Sequence, residues 1–520
     1  MKTKSFLQCI AITGIFAVWV SQTRAEVKLP AVISSHMVLQ QGMPVPIWGT
    51  AAPAEKVTVK FRGQTKTTQA DAQGKWMVKL DPLPVGEPGT MTIAGANTLT
   101  LEDVLVGEVW VGSGQSNMYM GVDPFLKGDE VLAKMAAETY PKIRLIRCGR
   151  TSWQEATPQN IARFSALLFS FGVPLQKELD VPVGLMVGAT GGTPSGGWLS
   201  EEMFKADAAC TEAVAKLTTP SALEAAQKKY QEDLAQWEKA SAEAKKAGQK
   251  EPRKPQPPAT PGESKFKFGS FYERHIKPFI PFAIKGVVWD QGESGTGVVG
   301  IDQYTLMGAL IRGWRKAWGQ DFPFIHVQKP SGGGCAWDPQ DIVTSQAEKF
   351  APLPASVPLG KTIGHIENHL RLNQYPNTFM AIASDLGSGT HPTNKSGYGA
   401  RACRVALGAV YGKPLEYYGP VYQSHKIEDG KIHITFTHVG KGLAFKNGDK
   451  LQGFAVAGED KVFRWADAVI DGDTVVLSCA KVAKPVAIRY ACAEGRPWAN
   501  LFNKDGLPAI PFRTDSDEKR

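Results

Sequence analysis

The chain has 520 residues, 43% of them hydrophobic and 21% charged, with a formal net charge of +9. At about 150 residues per domain this allows three or four folding units, each able to bury a core of its own. The composition excludes a disordered, collagenous or disulfide-scaffold protein, and no aromatic-interleaved basic motif or zinc-finger spacing points to a nucleic-acid partner.

At the start, Lys2 and Lys4 precede an apolar run from Phe6 to Val20, and Thr23-Arg24-Ala25 places small residues where a signal peptidase reads. The run is shorter than the ~20 residues a membrane-spanning helix needs. Residues 1–25 therefore read as a cleaved export signal, with the mature chain in the periplasm or the outside medium. No comparable apolar stretch follows, so membrane insertion is not expected. Loss of Lys2, Lys4 and Arg24 lowers the formal charge from +9 to +6. Six cysteines remain with no C-x-x-C pair, and Cys479 with Cys492, flanking a turn-and-strand pattern, is the expected bridge in an oxidising compartment.

From 26 to 103 short alternating runs are cut by turns. Val45–Gly49, Lys56–Lys60, Lys75–Lys79 and Thr90–Ile93 each present one apolar face, as strands of a β-sandwich do. Such a domain could pack on its neighbour or bind a glycan. From 104 to 411 strands alternate with helix-length segments, which predicts an α/β domain with a parallel sheet. Buried strands are expected at Val104–Val111, Pro182–Val187, Gly286–Trp289, Phe324–Gln328 and Phe379–Ala383, and helices at Phe164–Leu179 and Tyr304–Trp318. An insertion at about 200–265 interrupts the domain. Its charged first part predicts a helical hairpin, and the prolines between Lys250 and Gly262 predict a loop returning from it. From 412 to 520 alternation resumes at Ile432–Phe436, Leu451–Val456, Asp473–Leu477 and Ala487–Tyr490, a second β-sandwich with a charged, frayed tail.

The chemistry gathers at the ends of the central strands, where ligands of such sheets bind. Val104–Val111 stops at Gly112-Ser113-Gly114, so Ser116 stands on the turn or the first turn of a helix. Amides there could stabilise an oxyanion. The G-x-S-x-G nucleophile elbow is not met, since Met118 holds the last position. A serine nucleophile needs a base. Among nine histidines, His391 lies in a loop that follows a strand and precedes a helix, as a base reaching Ser116 would. Gly191 and Gly192 follow another strand and let amides approach a substrate oxygen. Asp290-Gln291-Gly292-Glu293-Ser294 brings an amide and carboxylates to a third. His365-Ile366-Glu367-Asn368-His369 pairs two histidines four apart but matches neither zinc-protease spacing, so no metal is expected.

The block Gly114-Gln115-Ser116-Asn117-Met118 resembles that of the sialate O-acetylesterase family, within the SGNH superfamily. Val181–Leu185 with Gly191–Pro194 and Trp198, the Gly286–Ser294 segment, Trp314-Arg315 with Phe322–Phe324, and His391-Pro392 with Lys395 look like the same family in the same order. The resemblance implies a flavodoxin-like SGNH hydrolase domain flanked by the two sandwiches. It implies a secreted serine esterase, without cofactor, that removes acetyl groups from O-acetylated sialic acids or sialoglycans. Acetylated plant polysaccharide such as xylan is the alternative substrate, and a non-catalytic glycan-binding protein on the same scaffold the alternative class. Ser116 matches the nucleophile and His391 the base; the amides of Ser116 and of Gly191 or Gly192, with the Gln291 side chain, match oxyanion donors. Three departures stand out. Asp290 replaces a tyrosine, Gly295 replaces an asparagine, and Ser388 occupies the place of the aspartate three residues before the histidine. Asp385, Glu293 or a backbone carbonyl is then left to orient His391. No residue pattern sets the oligomeric state.

Overall fold

The computed structural model describes residues 26–360 and 363–515. The export signal lies outside these residues, as does all of the charged tail beyond Asp515. Among the described residues no helix is long and apolar enough to cross a membrane.

The central sheet is built around one long strand, β1 (Thr98–Gly114), whose last eleven residues are almost wholly apolar or small and buried without a break. Such a run suits a strand covered on both faces. Parallel to it lie β2 (Tyr140–Arg147), β3 (Val183–Ala189), β4 (Gly286–Asp290), β5 (Phe324–Val327) and β6 (Thr378–Ala381), in the spatial order β6-β5-β4-β1-β3-β2. Setting β2 aside, the order is 2-1-3-4-5, that of a flavodoxin-like sheet, with β2 added beside β3 and the short Gln154–Ala156 strand pairing antiparallel outside it. Around it pack α1 (Ser116–Tyr119), α2 (Ala166–Leu179), α3 (Pro220–Lys246), α4 (Gln303–Trp318), α5 (Ile363–Arg371) and α6 (Lys395–Val405). The molecule is thus mixed α/β with further β-sheets at either end.

The expected boundary between 103 and 104 falls inside β1. Its first half pairs antiparallel with Gly89–Ala94 and its second half parallel with β3 and β4. One strand therefore welds the N-terminal sheet to the central one, and a change of pattern read as a domain boundary is a change in which faces are covered. β2 carried no expectation: its Pro141 and its charged residues, interspersed with Ile143, Leu145 and Ile146, mask a strand that pairs with β3 on one side and with the short Gln154–Ala156 strand on the other. The insertion holds three helices rather than two, because Asp207 and Thr219 each cap a new one. Its proline-rich return packs back along α3, where Trp237 Nε1 donates to the Pro252 carbonyl at 2.8 Å.

At the C-terminal end, two four-stranded antiparallel sheets enclose a core that includes Ile434, Phe454, Val475 and Tyr490. The bridge expected between Cys479 and Cys492 is not formed. All six cysteines among the described residues are free. The Cys492 thiol is buried and turned toward the Phe512 carbonyl at 3.0 Å, whereas that of Cys479 faces the Trp465 carbonyl.

β1 ends at Gly114, which has φ +124°, and a Cβ there would stand 2.1 Å from the Asp290 carbonyl oxygen. Only glycine fits, on conformation and on space. Gly114→Ala is expected to destabilise the central domain by more than about 1 kcal/mol. A urea midpoint equal to that of the native protein would count against this contact.

Candidate active site

The amide of Gln115 donates to the Asp290 carbonyl at 2.9 Å and that of Thr190 to the Gly114 carbonyl at 3.2 Å, so the ends of β1, β3 and β4 meet at one point. Ser116 is the first residue beyond it and opens the four-residue α1. Its side chain is half-buried, and a Cβ on Gly191 would lie 3.6 Å from Ser116 Cβ. Within the described residues the amides of Ser116, Gly191 and Gly192 have no hydrogen-bond acceptor. They can therefore serve an oxyanion.

His391 is exposed in the loop before α6. Its backbone is tied to the nucleophile turn by Asn117, a residue that sequence reasoning passed over. Asn117 Nδ2 donates to the Thr390 carbonyl at 3.1 Å, and Asn117 Oδ1 accepts from Lys395 Nζ at 2.7 Å. The residue after Ser116 thus holds the residue before His391. The rings and hydroxyl themselves make no hydrogen bond to each other in this structure, as is common before a substrate draws them together.

The structure does not bring Asp385 to His391. Asp385 is fully buried and accepts from Arg401 Nη2 at 3.0 Å. Glu293 is also engaged elsewhere: it accepts a hydrogen bond from Gln115 Nε2 and lies 2.9 Å from Lys329 Nζ. Gln291 is not placed as an oxyanion donor, because both hydrogens of its amide point at the carbonyls of Thr193 (3.3 Å) and Gly295 (3.1 Å), and Gln303 holds its oxygen. Its role here is to fix the two loops that flank Gly191 and Glu293.

Asp290, the unexplained departure, is the partner of Lys329 at 2.9 Å, an ionic contact without the alignment of a hydrogen bond. Lys329 thus lies between two carboxylates. Burial opposes its charge, but Asp290 and Glu293 outweigh burial and hold the ammonium above the usual lysine range. Burial and the neighbouring Glu293 raise Asp290 despite Lys329, whereas Glu293, although partly buried, is held down by Lys329. His326 and His369 lie beside this group with ring centroids 5.5 Å apart, and burial lowers His326 to about 4. In the stretch examined for metal, Glu367 accepts two hydrogen bonds from Arg513 at 2.9 and 3.0 Å.

No family model matches the chain. It is 28% identical over 540 residues to the sialate O-acetylesterase of Homo sapiens, covering 92% of this chain and 91% of that protein. It is 27% identical over 541 residues to that of Mus musculus, covering 92% and 93%. Among solved structures, a carbohydrate acetylesterase from Xanthomonas citri superposes with a TM-score of 0.70 and 28% identity, over 94% of this chain and 100% of that one. The resemblance carried by the motifs thus extends along nearly the whole chain.

Lys395 is buried against Phe125 and Tyr398, with Nζ 4.6 and 5.7 Å from their ring centroids. Burial lowers its ammonium from 10.5 to about 7, with Asp290 and Glu293 opposing the shift and Lys329 adding to it. A folded value below the unfolded one means that the unfolded chain binds more protons between those limits, so this residue's contribution to stability rises with pH. The stability of the native protein relative to Lys395→Met is expected to increase from pH 7 to pH 10. Urea titrations at both values check the sign, and a difference that falls with pH contradicts it.

Proposed function

We propose that this protein is an exported serine esterase that hydrolyses O-acetyl groups of sialic acids or sialoglycans on an SGNH-type domain, with Ser116 as nucleophile and His391 as base. Its similarity to its relatives makes it a sialate O-acetylesterase-like carboxylic ester hydrolase, acting on acetylated sugars. The observation that supports the mechanism is the convergence at Gly114. There the half-buried Ser116 lies beside Gly191, which with Gly192 has its amide free, and Asn117 ties the His391 loop to the same turn.

In this reading His391 removes the Ser116 proton as Oγ attacks the acetyl carbonyl. The amides of Ser116 and of Gly191 or Gly192 receive the oxyanion. The sugar oxygen leaves with the proton from His391, giving an acetyl-enzyme. His391 then takes a proton from water, which attacks the acetyl group, and Ser116 is restored as acetate departs. With Asp385 and Glu293 both engaged elsewhere, Ser116 and His391 act as a dyad. Export of the mature chain from about residue 26 belongs to the same proposal and rests on the sequence of the first 25 residues.

Ser116→Ala and His391→Ala are each expected to lower kcat for acetate release from O-acetylated sialic acid by about 10^4-fold or more, with folding retained. Equal activity in either variant overturns the mechanism. A native protein that releases acetate from acetylated xylan and none from sialic acid overturns the substrate. Asn117→Ala is expected to lower kcat by about tenfold to a hundredfold with KM little changed, because it frees the His391 loop without removing a reacting group. An effect confined to KM would show that Asn117 contacts the sugar instead.

A further inference from the structure

β2 ends at Arg147 on the same sheet edge as Ser116. Val187 of β3 pairs with Gly112 on one side and Arg147 on the other, so Arg147 stands two strand spacings, about 10 Å, from β1. Its guanidinium lies over the ring of Tyr119, 5.1 Å from the centroid, and its Nη2 donates to the carbonyls of Tyr119 (3.1 Å) and Arg163 (2.9 Å). Tyr119 is the last residue of α1, one turn from Ser116, and is 47% exposed. The next residue of the chain, Cys148, directs its thiol to the Arg274 carbonyl at 3.0 Å. Arg147, Arg150, Arg163 and Arg274 therefore collect along one side of the nucleophile turn.

Within the described residues none of the four has an acidic partner. That contrasts with the other side of the turn, where Lys329 and Arg401 are both paired with carboxylates. Nη2 uses its two hydrogens on backbone, and Nε with Nη1 leaves three N–H donors of Arg147 unspent. Arg147 is half-buried and the other three are exposed, and a half-buried charge without counter-charge is stabilised by an anion that completes it. A planar guanidinium is suited to a carboxylate.

Resting on the function proposed above, we infer that Arg147 is the anchor for the carboxylate of an acidic sugar, and that it selects sialic acid over neutral acetylated sugars. A sialic acid carries its carboxylate on the anomeric carbon and acetyl esters toward the opposite end, which matches an anchor set two strands from the nucleophile.

The test measures KM and kcat of the native protein, Arg147→Gln and Arg147→Lys on three substrates: O-acetylated sialic acid, its carboxyl methyl ester and 4-nitrophenyl acetate. For Arg147→Gln, KM on the acid is expected to rise about tenfold or more, with an effect on 4-nitrophenyl acetate at least fivefold smaller. The native protein is expected to show the same rise in KM on the methyl ester, a measurement that needs no variant to fold. Arg147→Lys should recover part of the loss. A native protein equally effective on acid and methyl ester, or an unchanged KM in Arg147→Gln, overturns the anchor and leaves the esterase reading standing. A native protein inactive on both sialic acid substrates but active on acetylated xylose overturns the sialate reading and the anchor together.

Discussion

The contact on which the site depends is that between Gly114 and the backbone of Asp290. A Cβ at Gly114 would lie 2.1 Å from the Asp290 oxygen, so the two strand ends approach as closely as glycine permits. Because the Gln115 amide is spent on that oxygen, α1 must begin at the next residue, and the next residue is Ser116. The position of Ser116, the proposed nucleophile, is therefore set by backbone packing rather than by its own side chain. This makes the site precise without placing any hydrogen bond on the hydroxyl that has to react.

Below that turn lies a second constraint, the burial of Lys329 between Asp290 and Glu293. Removing one partner of such a group leaves an uncompensated charge in the interior, which costs about 3–5 kcal/mol, so the group behaves as a unit. Glu293 also accepts from Gln115, and Ser294 donates to the Gln115 oxygen at 2.8 Å. The charge cluster thus clamps the residue immediately before the nucleophile. The acidic residue that looked anomalous at 290 has a structural cause: it balances a lysine on the neighbouring strand, a relation invisible while only one strand is in view.

What could be read in the chain follows from this. Buried strands announce themselves through uninterrupted apolar runs, and the ends of β1, β3 and β4 were legible because glycines and polar residues mark where each run stops. Ser116, Gly191 and Gly192 were singled out through their place at those ends, and His391 through its loop between β6 and α6. Asp385 was one alternative for orienting His391 and Gln291 an oxyanion donor implied by the resemblance, and both are engaged by other partners, Arg401 for the first and the Thr193 and Gly295 carbonyls for the second. Asn117 and Lys395 stood inside recognised blocks, but their mutual hydrogen bond joins residues 278 apart, and no local pattern encodes it. The weld of the N-terminal sheet through β1 escaped for the opposite reason. A strand that changes partners midway looks, in sequence, like two elements.

The two sides of the nucleophile turn then divide the work electrostatically. On the β4–β6 side Lys329 and Arg401 each have a carboxylate, so their fields are largely closed on themselves, and a substrate meets little net charge from them. On the β2 side Arg147, Arg150, Arg163 and Arg274 have none among the described residues, so their field extends into the space where a ligand lies, least screened where solvent is displaced. A neutral ester bound at Ser116 would leave that field unanswered. An acidic sugar would complete it, and in doing so would fix which end of the sugar faces the serine. Orientation of the acetyl group thus follows from where the counter-charge is missing, while the chemistry proceeds where the charges are already balanced.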